Sequence, residues 1–211
     1  MSSHYAMGFH LCRTCGVIDR DAGRIEVGAK CKSCQVPQKG GLMAFHVGIL
    51  ILIDLINEAG SSSSAVEQVT NNQSRRLGTV VFFCTLREAL MNWFVEGLLN
   101  ALRVPERIGE QLTSDNKLAH QKFGPLFEAL TGDKWSVGVK NASRLAKKDF
   151  SQISELMKSA ANQRNAFLHT GVGWEITDEL ADQCLDSVCT LVSLFAHLHN
   201  AYTYPLLKSN V

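Results

Sequence analysis

Four cysteines set in two pairs constrain this chain more than any other feature. They read Cys12-Arg-Thr-Cys15 and Cys31-Lys-Ser-Cys34, with fifteen residues between the pairs. A C-x2-C turn places two thiolates on one side of a tight knuckle. Two facing knuckles complete a tetrahedral four-sulfur site, which suits Zn2+, and the spacing fits the four-cysteine pattern of zinc sites. The alternatives are two disulfides or a redox C-x-x-C. Against them, no βαβ pattern surrounds either pair, and four ligands are present. A site with all four positions filled by protein is structural and has no open position for catalysis. The other cysteines, Cys84, Cys184 and Cys189, lie in apolar helical patterns and read as small core residues.

Gly16 follows the first pair directly, where a knuckle needs a residue free of a Cβ clash. Val17-Ile18 and Ile25-Glu26-Val27 are short β-prone runs around Asp19-Arg20-Asp21-Ala22-Gly23, which predicts a hairpin. The segment resembles a zinc ribbon. Ribbons of this kind bind nucleic acid or protein, and the fold alone does not say which. Arg13, Arg20, Arg24, Lys30 and Lys32 are available to phosphates or form the solvated surface of a small domain. Pro37-Gln-Lys-Gly40-Gly41 reads as a linker, so the expected division is a ribbon over 1–41 and a helical domain over 42–211.

Beyond the linker the chain is helical in pattern. With 211 residues, 45% apolar and only four prolines, it can bury a core without disulfides. A net charge of +1 excludes global attraction to polyanions. The most apolar run, 47–53, is too short for a membrane span, and residues 1–5 carry no targeting signal, so a cytoplasmic location without membrane contact is expected. The pattern predicts helices over about 43–58 and 78–103, with a polar loop over 61–76 between them. Short helices follow around 106–112 and 117–131, then a loop to 148. A long helix over 150–169, capped by Asp149 and ended by Gly171, precedes a last helix over 178–200 capped by Thr177. The fold class is mainly α: an antiparallel helical bundle preceded by a small β-hairpin ribbon.

One helix carries an anomaly. Between 150 and 167 its apolar stripe steps through Phe150, Ile153, Met157, Ala160, Arg164 and Phe167, so a guanidinium stands where a core residue belongs. That position is costly unless the charge is paired or lies in a cleft. Asn165 and His169 share a face four residues apart. Arg164 and His169 are five apart, about 140° around an ideal helix, so one straight helix does not aim both at one phosphate. A second copy in a dimer, or distortion before Gly171, would bring them together. His120, His197 and His199 have no such company, and the last two read as the less apolar face of the closing helix.

The run Gln163-Arg164-Asn165-Ala166-Phe167-Leu168-His169-Thr170-Gly171 resembles the Arg-x4-His signature of HEPN domains, and the helix order over 42–205 is similar to that family. The resemblance implies a dimeric, metal-independent endoribonuclease acting on RNA, of the kind found in defence and toxin systems, with an antitoxin or complex partner. It equally implies the non-catalytic members that bind RNA or nucleotides or serve as dimerising modules. Under the first reading His169 is base or acid, Arg164 holds phosphate oxygens, and Asn165 orients His169 or the phosphate. An acid on the earlier helix pairs with the motif arginine in that family. Glu88 and Glu96 are the candidates, with Glu88 preferred. No Mg2+-type carboxylate cluster accompanies the motif, and no catalytic metal is expected.

Overall fold

The computed structural model describes residues 2–20, 27–61, 68–171 and 176–209. The chain is mainly helical, with a small antiparallel sheet near its start. It begins with α1 (Ser2–Met7), then strands β1 (His10–Leu11) and β2 (Ile18–Asp19). A third strand, β3 (Leu42–Met43), pairs with the other side of β1, giving the order β2-β1-β3. His10 lies opposite both Asp19 and Met43. The predicted hairpin thus has a different partner: Ile18 pairs with Leu11, from the far side of the first knuckle. Of the other run, Ile25 and Glu26 lie outside the described residues, and Val27 is exposed.

The helical body starts with α2 (Val47–Ser61) and α3 (Gln68–Ala101). At 34 residues, α3 is the longest element and runs through the centre, packed against α2 and later helices. Its buried stripe runs through Val80, Phe83, Leu86, Leu90, Phe94 and Leu98 in steps of three and four, with Cys84 and Met91 buried beside it. The polar segment before it departs from expectation. Residues 62–67 are outside the described ones, but 68–76 are helical. Long-range pairing explains this: Arg75 donates to the Gly60 carbonyl, and Arg75 and Arg76 both bond Asp178. The Arg76 bond, with Arg75 adding to it, holds the Asp178 carboxyl below the usual carboxylate range.

Next come α4 (Glu106–Asp115), α5 (Ala119–Gln121) and α6 (Phe127–Thr131). A π-helical turn over Lys122–Leu126 joins the last two; it contains Pro125, which has no N–H to donate to an α-helical ladder. A loop was expected after 131, yet α7 (Trp135–Ala146) forms there. Its glycine is a packing residue. A Cβ on Gly138 would stand 2.5 Å from Phe127 Cζ, so the helix approaches that ring only without one. Asn141 adds a bond to Tyr202 Oη at 2.9 Å.

The motif lies in α8 (Ser151–Thr170), which ends on Gly171 at φ 67° with Gly171 N–H bonded to the Phe167 carbonyl. At its start the residue before the first turn is Phe150; Asp149 instead accepts from Ser151 N at 2.8 Å. The single closing helix is divided into α9 (Asp178–Asp186) and α10 (Val188–Leu198) at Ser187, then a π-helical turn over His199–Thr203 and α11 (Tyr204–Ser209). Thr177 Oγ1 accepts from Leu180 N at 3.2 Å. Thr177→Ala should therefore lower the unfolding free energy by about 1 kcal/mol, read from denaturant melts.

One core joins these parts. Phe45, Phe83, Phe94, Phe127, Phe150 and Phe195 are fully buried, each worth roughly 1.5–3 kcal/mol of transfer free energy. Ala6, Phe9 and Ile18 from the N-terminal segment belong to the same cluster. Cys84 and Cys184 are fully buried in it. Among the described residues, no helix is long and apolar enough to cross a membrane.

Candidate functional site

Cys12, Cys15, Cys31 and Cys34 converge, with all four Sγ atoms within 4.8 Å of one another. Cys12 to Cys34 and Cys15 to Cys31 are each 3.8 Å between sulfurs. Metal–thiolate bonds of about 2.3 Å in a tetrahedron require sulfur separations of about 3.8 Å, so the group could hold a metal ion. The two knuckles repeat one backbone pattern. Gly16 N–H bonds the Cys12 carbonyl at 2.9 Å, and Gln35 N–H bonds the Cys31 carbonyl at 2.8 Å. Both turning residues are left-handed, at φ 77° and 60°. Backbone amides also point at sulfur: Cys15 N lies 3.5 Å from Cys12 Sγ, and Ser33 N lies 3.4 Å from Cys31 Sγ. Burial acts to raise the Cys12 thiol, but donation from the Cys15 and Thr14 amides outweighs it and brings the thiol to about 6.

This centre is seated on the C-terminal helices. The Asn200 side chain bonds both the amide and carbonyl of Ile18, at 2.9 and 2.7 Å. His199 Nε2 donates to the Gly16 carbonyl at 2.9 Å, and Ser33 Oγ meets Tyr204 Oη at 2.6 Å. A Cβ on Gly16 would lie 2.5 Å from Leu207 Cδ1. His199, read from the sequence as part of the less apolar face of the closing helix, is thus buried, with burial lowering its pKa. Of the ribbon cations, Arg13, Lys30 and Lys32 are exposed, Arg20 stacks over the Tyr5 ring at 3.5 Å, and Arg24 lies outside the described residues.

A second constellation lies in a cleft of about 670 Å³ bordered by α3, α5, α7 and α8. Arg164 Nη1 donates to Glu88 Oε1 at 2.8 Å, while Arg164 Nε and Nη2 donate to Asn165 Oδ1 at 3.2 and 3.0 Å. Three of its five N–H donors are so used, and the rest have no partner among the described residues and can take an anion. The Arg164 side chain is 17% exposed and that of Glu88 34%. His169 is exposed and lines the same cleft. The 140° between Arg164 and His169 therefore does not keep them from one cavity. Glu96 is elsewhere, in another cleft between the end of α3 and α4.

Two residues here escape the sequence reading. Arg87 is buried, donating to the Met157 carbonyl at 2.9 Å and to Glu88 at 3.3 Å. Glu88 thus sits between two guanidiniums. Burial pushes the Arg87 pKa below its ordinary value, with Cys84 and Glu88 opposing the shift. The signal was present: Arg87 falls on the buried stripe of α3 between Cys84 and Met91, as Arg164 interrupts that of α8. His120 is the other. It has sequence neighbours of no catalytic type, yet it borders the cleft with Lys117 and Lys158.

Comparison with known proteins gives no match: no family model, curated protein or solved structure matches the chain.

Proposed function

We propose that the protein is a HEPN-like endoribonuclease that cuts RNA by attack of the 2′-hydroxyl on the adjacent phosphate, without a catalytic metal, and that its four cysteines hold a structural Zn2+. The observation supporting this reading is the motif arginine, paired to Glu88 and Asn165 at the rim of a cleft that His169 also lines. In the reaction the 2′-oxygen bonds to phosphorus and the P–O5′ bond breaks. A base takes the 2′-hydroxyl proton, and an acid gives one to the departing 5′-oxygen. A neutral histidine suits the first role and a protonated one the second, and a homodimer supplies two copies of His169. Arg164 stabilises the charge that develops on the phosphoryl oxygens. Leu168, 63% exposed beside His169, offers an apolar contact to a second copy. A cytoplasmic toxin or defence role, held in check by an antitoxin, is the biological setting this activity implies.

The test is incubation of metal-loaded protein with RNA in buffer free of other divalent ions. Products ending in 2′,3′-cyclic phosphate are expected, with loss of cleavage in His169→Ala. Equal activity in that variant would sink the mechanism. One observation favours a second reading, a non-catalytic RNA- or nucleotide-binding module: His169 has no hydrogen-bond partner among the described residues to orient its ring. RNA binding without any cleavage would select it.

A further inference from the structure

The cleft extends beyond Arg164 along α8, and part of its wall is aromatic. Ser154, Lys158, Ala161, Asn165 and His169 step along one face of α8 by three or four residues, and all line the cavity. Ser154 and Arg164 are ten residues apart, about 15 Å along the axis at the usual helical rise. Trp135 is fixed at the Ser154 end, where its Nε1 donates to Ser154 Oγ at 3.0 Å. Phe123 meets Trp135 edge to face, with centroids 4.8 Å apart, and Arg87 covers Phe123 at 5.1 Å from its centroid. Leu118, 57% exposed, stands on the same lining.

An active site needs only the atoms around one phosphate. The partly buried aromatic wall of Trp135 and Phe123 along the same cleft is not used by that chemistry. Every nucleobase has a flat apolar face, and a single strand can splay its bases onto aromatic side chains, whereas a duplex keeps them stacked. Lys158 and Lys117 lie along the path, where they meet the backbone phosphates of a strand laid in the cleft.

We infer that the cleft is a track for single-stranded RNA, with the scissile phosphate at Arg164 and an unpaired base further along it held against Trp135, Phe123 and Leu118. This rests on the RNA reading above, but its test does not need cleavage.

The probe is a short fluorescent oligoribonucleotide with every 2′-hydroxyl replaced by fluorine, which keeps the RNA sugar pucker but removes the nucleophile, so that it binds without being cut. One abasic residue is walked along it, and affinity for the full chain is read by anisotropy. One position should weaken binding about tenfold, the ordinary contribution of a base stacked on an aromatic ring. That position should lose its effect in Trp135→Leu, and in Leu118→Glu, whose exposed side chain leaves the fold intact. Annealing a complementary strand should also weaken binding. Affinity equal at all abasic positions, or a position effect undiminished in both variants, overturns the subsite. If the position effect is present while no RNA is ever cleaved, the subsite stands and the ribonuclease reading fails. If cleavage is present with no position effect, the reverse holds.

Discussion

Arg164→Ala should reduce RNA cleavage by about 10²–10³-fold while leaving the circular dichroism spectrum and melting behaviour close to wild type. The magnitude is that of removing one preorganised donor to a developing oxyanion. Arg164→Lys should rescue little. A lysine ammonium is a point charge without the fork that now spans Glu88 Oε1 and Asn165 Oδ1, and it would sit lower in the cleft. Glu88→Gln is the informative companion. It keeps an acceptor for Arg164 but removes the charge that separates Arg164 from Arg87, so activity should fall less than in Arg164→Ala. Single-turnover rates separate these effects from RNA affinity. Arg164→Ala cleaving as fast as wild type would leave the cleft without a role in phosphate chemistry.

Stripping the metal, or replacing Cys31 by serine, should destabilise more than the ribbon. In isolated zinc peptides the metal provides about 10–16 kcal/mol of apparent binding free energy that is also folding free energy. Here the knuckles are bonded to His199, Asn200 and Tyr204. Losing the metal frees four thiolates to separate, and with them the acceptors that those side chains use. The expected result is a lower melting temperature, restored by adding Zn2+, with faster amide exchange over 199–207 as well as 12–36. The helices around Phe83 and Phe94 keep their own apolar core and should stay protected. A melting temperature and C-terminal exchange indifferent to chelation would show that the ribbon is only tethered.

How much of this was readable beforehand depends on whether the cause was local. The cysteine pairs, the Gly171 stop and the Thr177 cap are short-range devices, and the structure has each where the residues stand. The Arg164 anomaly was visible as a charge on an apolar stripe, and the pairing with Glu88 puts an acid beside it. What escaped was set by distant contacts. The first residues of α3 are polar and become helical with Arg75 and Arg76 bonded to Asp178, about a hundred positions later. Helix α7 carries Gly138, a poor helix former, because Phe127 leaves no room for a Cβ. His120 lines the cleft from the three-residue helix α5, too short for any periodicity to announce. The strand partner of Ile18, upstream of the knuckle, was not legible because two-residue strands carry almost no pattern.

The seating of the ribbon on residues 199–207 also imposes an order on synthesis. Cys34 leaves the ribosome long before Asn200 and Tyr204 exist, so all four thiols are made well ahead of the surface that receives them. Until then Gly16 faces no Leu207 and Ile18 no Asn200. The nascent protein passes through a stage with a complete cysteine knuckle and an unfilled berth. An interruption of translation before residue 199 would leave that knuckle loose, with the surface that normally receives Leu207 open to other partners.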